Sequence, residues 1–187
     1  MPYPSKTNRA TILAAAVQQT EQEGLAKLSW RSVAASLGLA PNALYRYFPD
    51  WAHLEAAIAN EGAARLHAAL ARAAETETDA EPALRRVAEA YVAFTRGHPA
   101  LYSILMKPGV GPRAEPSAYD AMWAFVVGLV GRLTGAAPAP EAAVAIWAFL
   151  HGIVTLEQGG VFGPQKPATA FPYGLSALLA GLPQRPA

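Results

Sequence analysis

Asn42, Ala43, Tyr45 and Arg46 crowd into one short stretch, PNALYR, and their side chains match what a nucleic-acid duplex displays. Arg bonds guanine edges or phosphate, Asn pairs with adenine edges, Ala touches a thymine methyl, and a Tyr hydroxyl bonds phosphate oxygens. This is the chemistry of major-groove readout, provided one face of one element presents all four groups. At about 100° per residue, Pro41, Leu44 and Phe48 fall on one side of a helix and the four polar-face residues on the other.

The elements that must position this face lie in Ser29–Phe48, SWRSVAASLGLAPNALYRYF, which reads as two short helices joined by a tight turn. Ser29 is a good N-cap; Val33, Ala34 and Leu37 recur at helical spacing; Gly38 takes the left-handed conformation that stops a helix. Pro41 suits the first turn of the next helix, and Leu44 with Phe48 gives that helix an inward pair. The reading is a helix-turn-helix. Spacing by itself leaves open a solvated helical hairpin that carries Tyr and Arg outside.

Residues 8–23 read as a preceding helix, with Ile12, Leu13, Ala16 and Val17 inward and Gly24 as its stop. Lys6 and Arg9 near its start are peripheral candidates for phosphate contact. The formal net charge of +1 conceals an asymmetry, because residues 1–46 hold Lys6, Arg9, Lys27, Arg31 and Arg46 against Glu21 and Glu23. That excess is small, so strong non-specific affinity for phosphate is not expected from one copy.

The string GLAPNALYRYFPDWAHLEAAI resembles the third-to-fourth-helix signature of TetR-type transcriptional regulators, in which a Leu-Tyr-x-x-Phe box ends the recognition helix. The resemblance extends back through Ser29-Trp30-Arg31-Ser32-Val33-Ala34 to Thr11–Ala16. It implies an all-α protein: a three-helix DNA-binding domain over residues 1–50, a connecting helix over 51–74, and a ligand-binding and dimerisation domain over 75–187. Asn42, Ala43 and Arg46 are then expected at base edges and Arg31 at a base edge or phosphate. Ser32, Tyr45 and Tyr47 are expected on the DNA backbone. Trp51 departs from the family pattern, which places a phosphate-contacting Lys at the start of the fourth helix; its indole N–H still donates one bond, but the charge is lost. Trp51 reads equally as a hydrophobic staple over the recognition helix.

The fourth helix offers Leu54, Ile58, Ala64 and Leu70 for packing, and the acidic break ETETDAE precedes a helix near Pro82–Arg96 with Leu84, Val87, Tyr91 and Phe94 on one stripe. A short apolar helix follows in HPALYSILM, then a Pro and Gly loop over 109–116. Ser117–Thr134 is apolar almost all round, which predicts burial. In EAAVAIWAFLHGIVTLEQ, Trp147, His151 and Gly152 resemble the Trp-His-Gly signature of one C-terminal domain class of TetR-type regulators. That class implies a homodimer through helices near 141–158 and 172–181. The apolar sides formed by Ile146, Phe149, Leu150, Ile153 and Val154, and by Phe171, Leu175, Leu178 and Leu179, call for partner helices independently.

Tyr91, Phe94, Tyr102, Met106, Trp123, Trp147 and His151 are candidates to surround an internal cavity, or simply to fill the core. The family resemblance implies an inducer site there, and its apolar character suggests a lipophilic ligand. For an enzyme, the best acid and base pair would be His151 with Glu157 or Asp120, but no Gly-rich phosphate loop, nucleophile motif or metal cluster accompanies them. No enzyme activity, cofactor or metal is expected.

With no cysteine, no export-like start, and no apolar run of the roughly 18 to 20 residues that span a bilayer, the expectation is a soluble cytoplasmic chain. The expected function is ligand-responsive regulation of transcription, as a repressor binding double-stranded DNA at a palindromic operator. The alternative is a small-molecule-binding helical protein without specific DNA binding.

Overall fold

The computed structural model describes residues 7–109, 117–163 and 169–183, and among these there is no strand. The described residues form eight α-helices, in the order α1 (Arg9–Glu23), α2 (Trp30–Ser36), α3 (Trp51–Ala74), α4 (Ala80–Gly97), α5 (Pro99–Leu105), α6 (Ala118–Thr134), α7 (Ala139–Gln158) and α8 (Ala170–Ala180). Lys6 and most of the expected 109–116 loop lie outside the described residues. The chain forms two compact units: the described residues up to Arg65 with His98–Asp120, and Leu66–Gly97 with the residues from Ala121 onward. The 98–120 segment therefore joins the amino-terminal unit, whereas the functional division expected from sequence grouped it with the carboxy-terminal part. α3 crosses the boundary as one uninterrupted helix.

In the first unit α1 packs on α2 and α5. Asn8 caps α1 by accepting from the Thr11 N–H at 2.8 Å, and Gly24, at φ 80°, ends it. Ile12, Ala16 and Val17 are buried as expected, with Thr20 beside them, while Leu13 is only half-buried. The core also holds Val33, Leu44, Phe48, Leu54, Ile58, Leu101 and Ile104, all with no exposed surface. Ala64 faces solvent rather than packing inward. Glu21 ties three helices together: its carboxylate meets Arg65 of α3 at 3.2 Å and His98, just before α5, at 2.6 Å. Arg65 also bonds Glu61 at 2.8 Å, and that hydrogen bond is the main reason its pKa is raised. α6 starts in this unit, where the Asn60 side chain accepts from the Ala118 N–H at 2.9 Å.

In the second unit α4 packs on α7, and α7 on α8. Leu84, Val87, Tyr91 and Phe94 form the buried stripe of α4 that the spacing predicts. Arg96 clamps α4 to α7 with a forked pair to Glu157, whose carboxylate is nearly buried.

Two expectations need correction. α6 is apolar almost all round, yet within the chain only Leu129, Val130 and Thr134 are buried, and Trp123 is 38% exposed. Composition states that such a helix has much apolar surface, and the neighbours available within one chain cover only part of it. Second, Ala139–Gln158 is long and apolar enough to cross a membrane by length and composition, although no uninterrupted apolar run is. Averaging along the helix tolerates the isolated polar residues that break a run. About a third of this helix is buried inside the chain.

Phe149 of α7 lies against α8, stacked on Phe171 with ring centroids 6.5 Å apart, and a Cβ added at Gly174 would stand 2.5 Å from the Phe149 ring. Helix propensity alone favours Ala over Gly by about 1 kcal/mol, but overpacking a fixed ring costs about 1 to 3 kcal/mol. Gly174→Ala is therefore expected to destabilise the protein in denaturant unfolding; an unchanged or raised midpoint would mean the ring moves freely.

Tyr119 of α6 donates to the Leu105 carbonyl at 3.2 Å, and burial pushes its hydroxyl up to about 12. Because the neutral form is the one favoured by folding, this stabilisation is complete below about pH 10 and is lost as pH rises towards about 12. The unfolding free energy of the parent minus that of Tyr119→Phe should be flat below about pH 10 and shrink above it. A flat difference throughout would contradict the burial of this hydroxyl.

Candidate nucleic-acid interface

α2 is closed at both ends by local bonds. Ser29 and Ser32 form a reciprocal capping box: the Ser29 N–H donates to Ser32 Oγ at 2.9 Å and the Ser32 N–H to Ser29 Oγ at 3.1 Å. At the far end Gly38, at φ 65°, permits the paired bonds Leu39 N–H to Ala34 carbonyl and Gly38 N–H to Ala35 carbonyl, at 2.9 and 3.1 Å. Every L-residue with a side chain would be strained there, so Gly38 sets the direction in which the chain leaves α2.

The expected recognition helix is a 3₁₀ helix over Pro41–Arg46 rather than an α-helix. Pro41 occupies its first turn, and Ala43 N–H to Ala40 carbonyl and Tyr47 N–H to Leu44 carbonyl, both 2.9 Å, are its tighter i to i+3 bonds. Side chains three apart then eclipse one another, which regroups the surface. Asn42 lines up with Tyr45 and Ala43 with Arg46 on the outside, while Tyr47 shares the inward row of Leu44.

The accessibility follows this grouping within the segment except at Pro41, which is exposed; beyond its end the Phe48 N–H bonds the Leu44 carbonyl four residues back, at 3.0 Å, and Phe48 turns inward. Asn42, Tyr45 and Arg46 are exposed, Ala43 is half-buried, and Leu44 and Phe48 are fully buried. Arg31, at the second position of α2, is exposed as well. Sequence spacing therefore separated Leu44 and Phe48 from Asn42, Tyr45 and Arg46, but Pro41, expected inward, is exposed, because the tighter helix turns it away from Phe48. Tyr47 is half-buried, and its hydroxyl donates to the Thr7 carbonyl at 2.9 Å. Ser32 Oγ is engaged in the capping box and lies 3.0 Å from the Ser29 carbonyl. Both hydroxyls thus hold the element in place.

Two further residues support the face without belonging to it. The Arg9 guanidinium lies 4.5 Å over the Phe48 ring, a cation–π contact that covers the inward end of the 3₁₀ segment. Sequence spacing placed Arg9 near phosphate and gave no sign of this, since the contact spans 39 residues of chain. Asp50 accepts from the His53 N–H at 2.9 Å and meets His53 Nδ1 at 2.7 Å, starting α3; these bonds to His53 hold its carboxyl below the usual carboxylate range. Trp51, the first residue of α3, packs edge-on against Trp30, and Trp30 in turn contacts Tyr45.

The seven ligand candidates divide between the units. Tyr91, Phe94, Trp123, Trp147 and His151 belong to the second, and Tyr102 and Met106 to the first. Tyr91, Phe94 and Tyr102 are buried, whereas Met106 and His151 are half-buried. Trp123 and Trp147 are 38% and 43% exposed, on the surface of the chain rather than in the interior expected for them. On α7 the Trp147 and His151 rings lie one turn apart, with centroids separated by 6.4 Å.

Comparison with known proteins settles what this arrangement is. Residues 12–58 match the model of bacterial regulatory proteins of the tetR family, and residues 84–178 match that of the tetracyclin repressor-like C-terminal domain. The chain belongs to the TetR family. Among solved structures it is similar to a protein of unknown function from Rhodococcus sp. RHA1, at 30% identity over 98% of this chain and 100% of that one, with a TM-score of 0.79. Its fold is shared by a TetR variant from Acinetobacter baumannii AYE solved with minocycline (23% identity, 94% and 96% covered, TM-score 0.70). It is shared too by BioQ solved with its double-stranded DNA operator (21% identity, 94% and 97% covered, TM-score 0.64).

For this TetR-family chain the Tyr47 bond gives a direct test. Tyr47→Phe should lower stability by about 0.5 to 1.5 kcal/mol, the net value of one hydrogen bond, while leaving the salt dependence of DNA binding unchanged. Weaker operator binding with unaltered stability would instead assign the hydroxyl to phosphate.

Proposed function

We propose that this TetR-family regulator is a ligand-responsive repressor that binds a palindromic operator as a homodimer and is released by a small-molecule inducer. The observation that carries the reading is the outward placement of Asn42, Tyr45 and Arg46 on a segment whose opposite row, Leu44 with Phe48, is fully buried. Asn42, Ala43 and Arg46 meet base edges, Arg31 reaches a base edge or phosphate, and Tyr45 meets the backbone. Ser32 and Tyr47 chiefly hold the element: each hydroxyl donates to a backbone carbonyl, and a phosphate oxygen, which only accepts, takes that proton only in place of the internal bond. The structures of BioQ with its operator and of the Acinetobacter TetR variant with minocycline support the two halves of the reading by likeness of fold.

Homodimerisation uses α7 and α8, near 141–158 and 172–181. Val144, Trp147 and Leu156 on α7 and Tyr173 on α8 are large apolar residues left exposed within one chain, which supports that assignment. Two copies place two recognition segments about one helical turn of DNA apart, ~34 Å, and double the modest basic charge. The inducer is lipophilic and contacts aromatic residues of the second unit, Tyr91 and Phe94 among them. The protein acts in the cytoplasm, where its DNA is. Coupling runs through α3, the helix common to both units.

Fluorescence anisotropy on duplexes from the DNA flanking the gene, against a scrambled duplex across a salt series, tests the proposal. Saturable binding to one near-palindromic duplex with two chains per site is expected. Arg46→Ala should weaken that binding by about 1 to 3 kcal/mol and relax the base preference. A site preference unchanged in this variant would remove Arg46 from base readout, and equal binding to both duplexes would favour a helical ligand-binding protein without specific DNA recognition.

A further inference from the structure

The outward face of the 3₁₀ segment has a support from outside the segment itself. Trp30 is the first residue of α2 and Trp51 the first residue of α3, so neither belongs to the segment. Yet the Trp30 ring lies 5.0 Å from the ring of Tyr45 and 5.5 Å from that of Trp51, tilted by 46° to the first and nearly perpendicular to the second. The three rings make a continuous row from the start of α3, across the start of α2, to a Tyr that is 49% exposed. Trp30 and Trp51 are themselves only half-buried, which is a poor use of two indoles if their purpose were core packing alone.

We propose that Trp51 is a positioning residue for operator binding: it acts through Trp30 to hold Tyr45 ready for the DNA backbone, and it does not itself bond phosphate. This deepens the DNA-binding reading given above and rests on it. A 3₁₀ helix of six residues has poor hydrogen-bond geometry and little stability of its own, so an exposed side chain on it is mobile unless something outside the segment orders it. Ordering Tyr45 before DNA arrives removes part of the entropy cost of binding. The middle ring and the α3 end of the row are anchored by independent devices, Ser29 capping α2 beside Trp30 and Asp50 starting α3 beside Trp51. The indole at position 51 thus contributes through its ring faces and edges, and its N–H is dispensable.

Three variants of the full chain separate this from direct contact. Trp51→Phe keeps a ring and removes the N–H, Trp51→Ala removes both, and Tyr45→Phe removes the hydroxyl that the row is held to position. With anisotropy on the operator duplex, Trp51→Phe should bind within about twofold of the parent, and Trp51→Ala about three- to tenfold more weakly with an unchanged salt slope. In a Tyr45→Phe background the Trp51→Ala loss should shrink to less than about twofold, because the two changes remove the same contribution. Thermal unfolding monitors folding, and Trp51→Leu, which fills the volume without a ring, takes the place of the alanine variant if that one unfolds. Equal weakening by Trp51→Phe and Trp51→Ala, which share the loss of the N–H, would assign the N–H to phosphate and overturn the proposal. Additive losses, or no loss in any Trp51 variant, would overturn it as well. A parent chain that does not distinguish operator from scrambled duplex defeats the DNA-binding reading itself and this inference with it, whereas a parent that does so while the variants misbehave defeats this inference alone.

Discussion

The simultaneous burial of Leu44 and Phe48 is the constraint on which the DNA-facing surface depends. A 3₁₀ segment of six residues has too few and too strained hydrogen bonds to persist by itself. Its order comes from the side chains beneath it, two residues with no exposed surface. Burying a Leu and a Phe releases about 1.5 to 3 kcal/mol each, more than the segment's own bonds provide. Once these two point inward, the rotation about the segment axis is fixed, and the outward identity of Asn42, Tyr45 and Arg46 follows without further choice. The Arg9 guanidinium over Phe48 and the Tyr47 bond to Thr7 close the same arrangement from the α1 side.

This constraint also explains what could be read in advance. The pairing of Leu44 with Phe48, the Ser29 cap and the Gly38 stop are local signals, each with its mechanism contained in a few neighbouring residues, and each is found in the structure. The helix type was not legible, because Pro41, Leu44 and Phe48 at three- and four-residue spacing suit a 3₁₀ and an α-helix alike. Partners distant in sequence were not legible either. Nothing near Arg9 specifies Phe48, and nothing near Trp30 specifies both Tyr45 and Trp51, since these contacts exist only after α1, α2 and α3 have packed.

The carboxy-terminal helices show a different limit. Hydrophobic periodicity says that a face must be covered, but not by which element. For α4 the stripe of Leu84, Val87, Tyr91 and Phe94 is buried within the chain. For α6 the same reasoning expected an interior, and Trp123 stands exposed; for α7 it expected a partner helix as well, and Val144 and Trp147 stand exposed within the chain. The difference lies in how much apolar surface each helix has beyond what one neighbour can cover: α4 has a single stripe and a polar back, whereas α7 buries Ala142, Ala143, Ile146, Leu150 and Val154 and still has apolar residues on the opposite side. Such surplus supports the proposed pairing of this face with a second copy of the chain.

The proposed release mechanism sets an energetic requirement that an apolar site can meet. A ligand that binds the DNA-competent and DNA-incompetent states equally shifts nothing, however tightly it binds. Reversing a population from 99:1 to 1:99 needs about 5.5 kcal/mol of differential affinity. At about 25 cal/mol per Å² of apolar surface, a ligand achieves this by burying about 220 Å² more in one state than in the other. That is within the reach of one aromatic or aliphatic molecule in contact with side chains such as Tyr91 and Phe94, and it requires no ion pair. Polar anchors in such a site would serve to choose among ligands, while the switch itself would run on apolar burial.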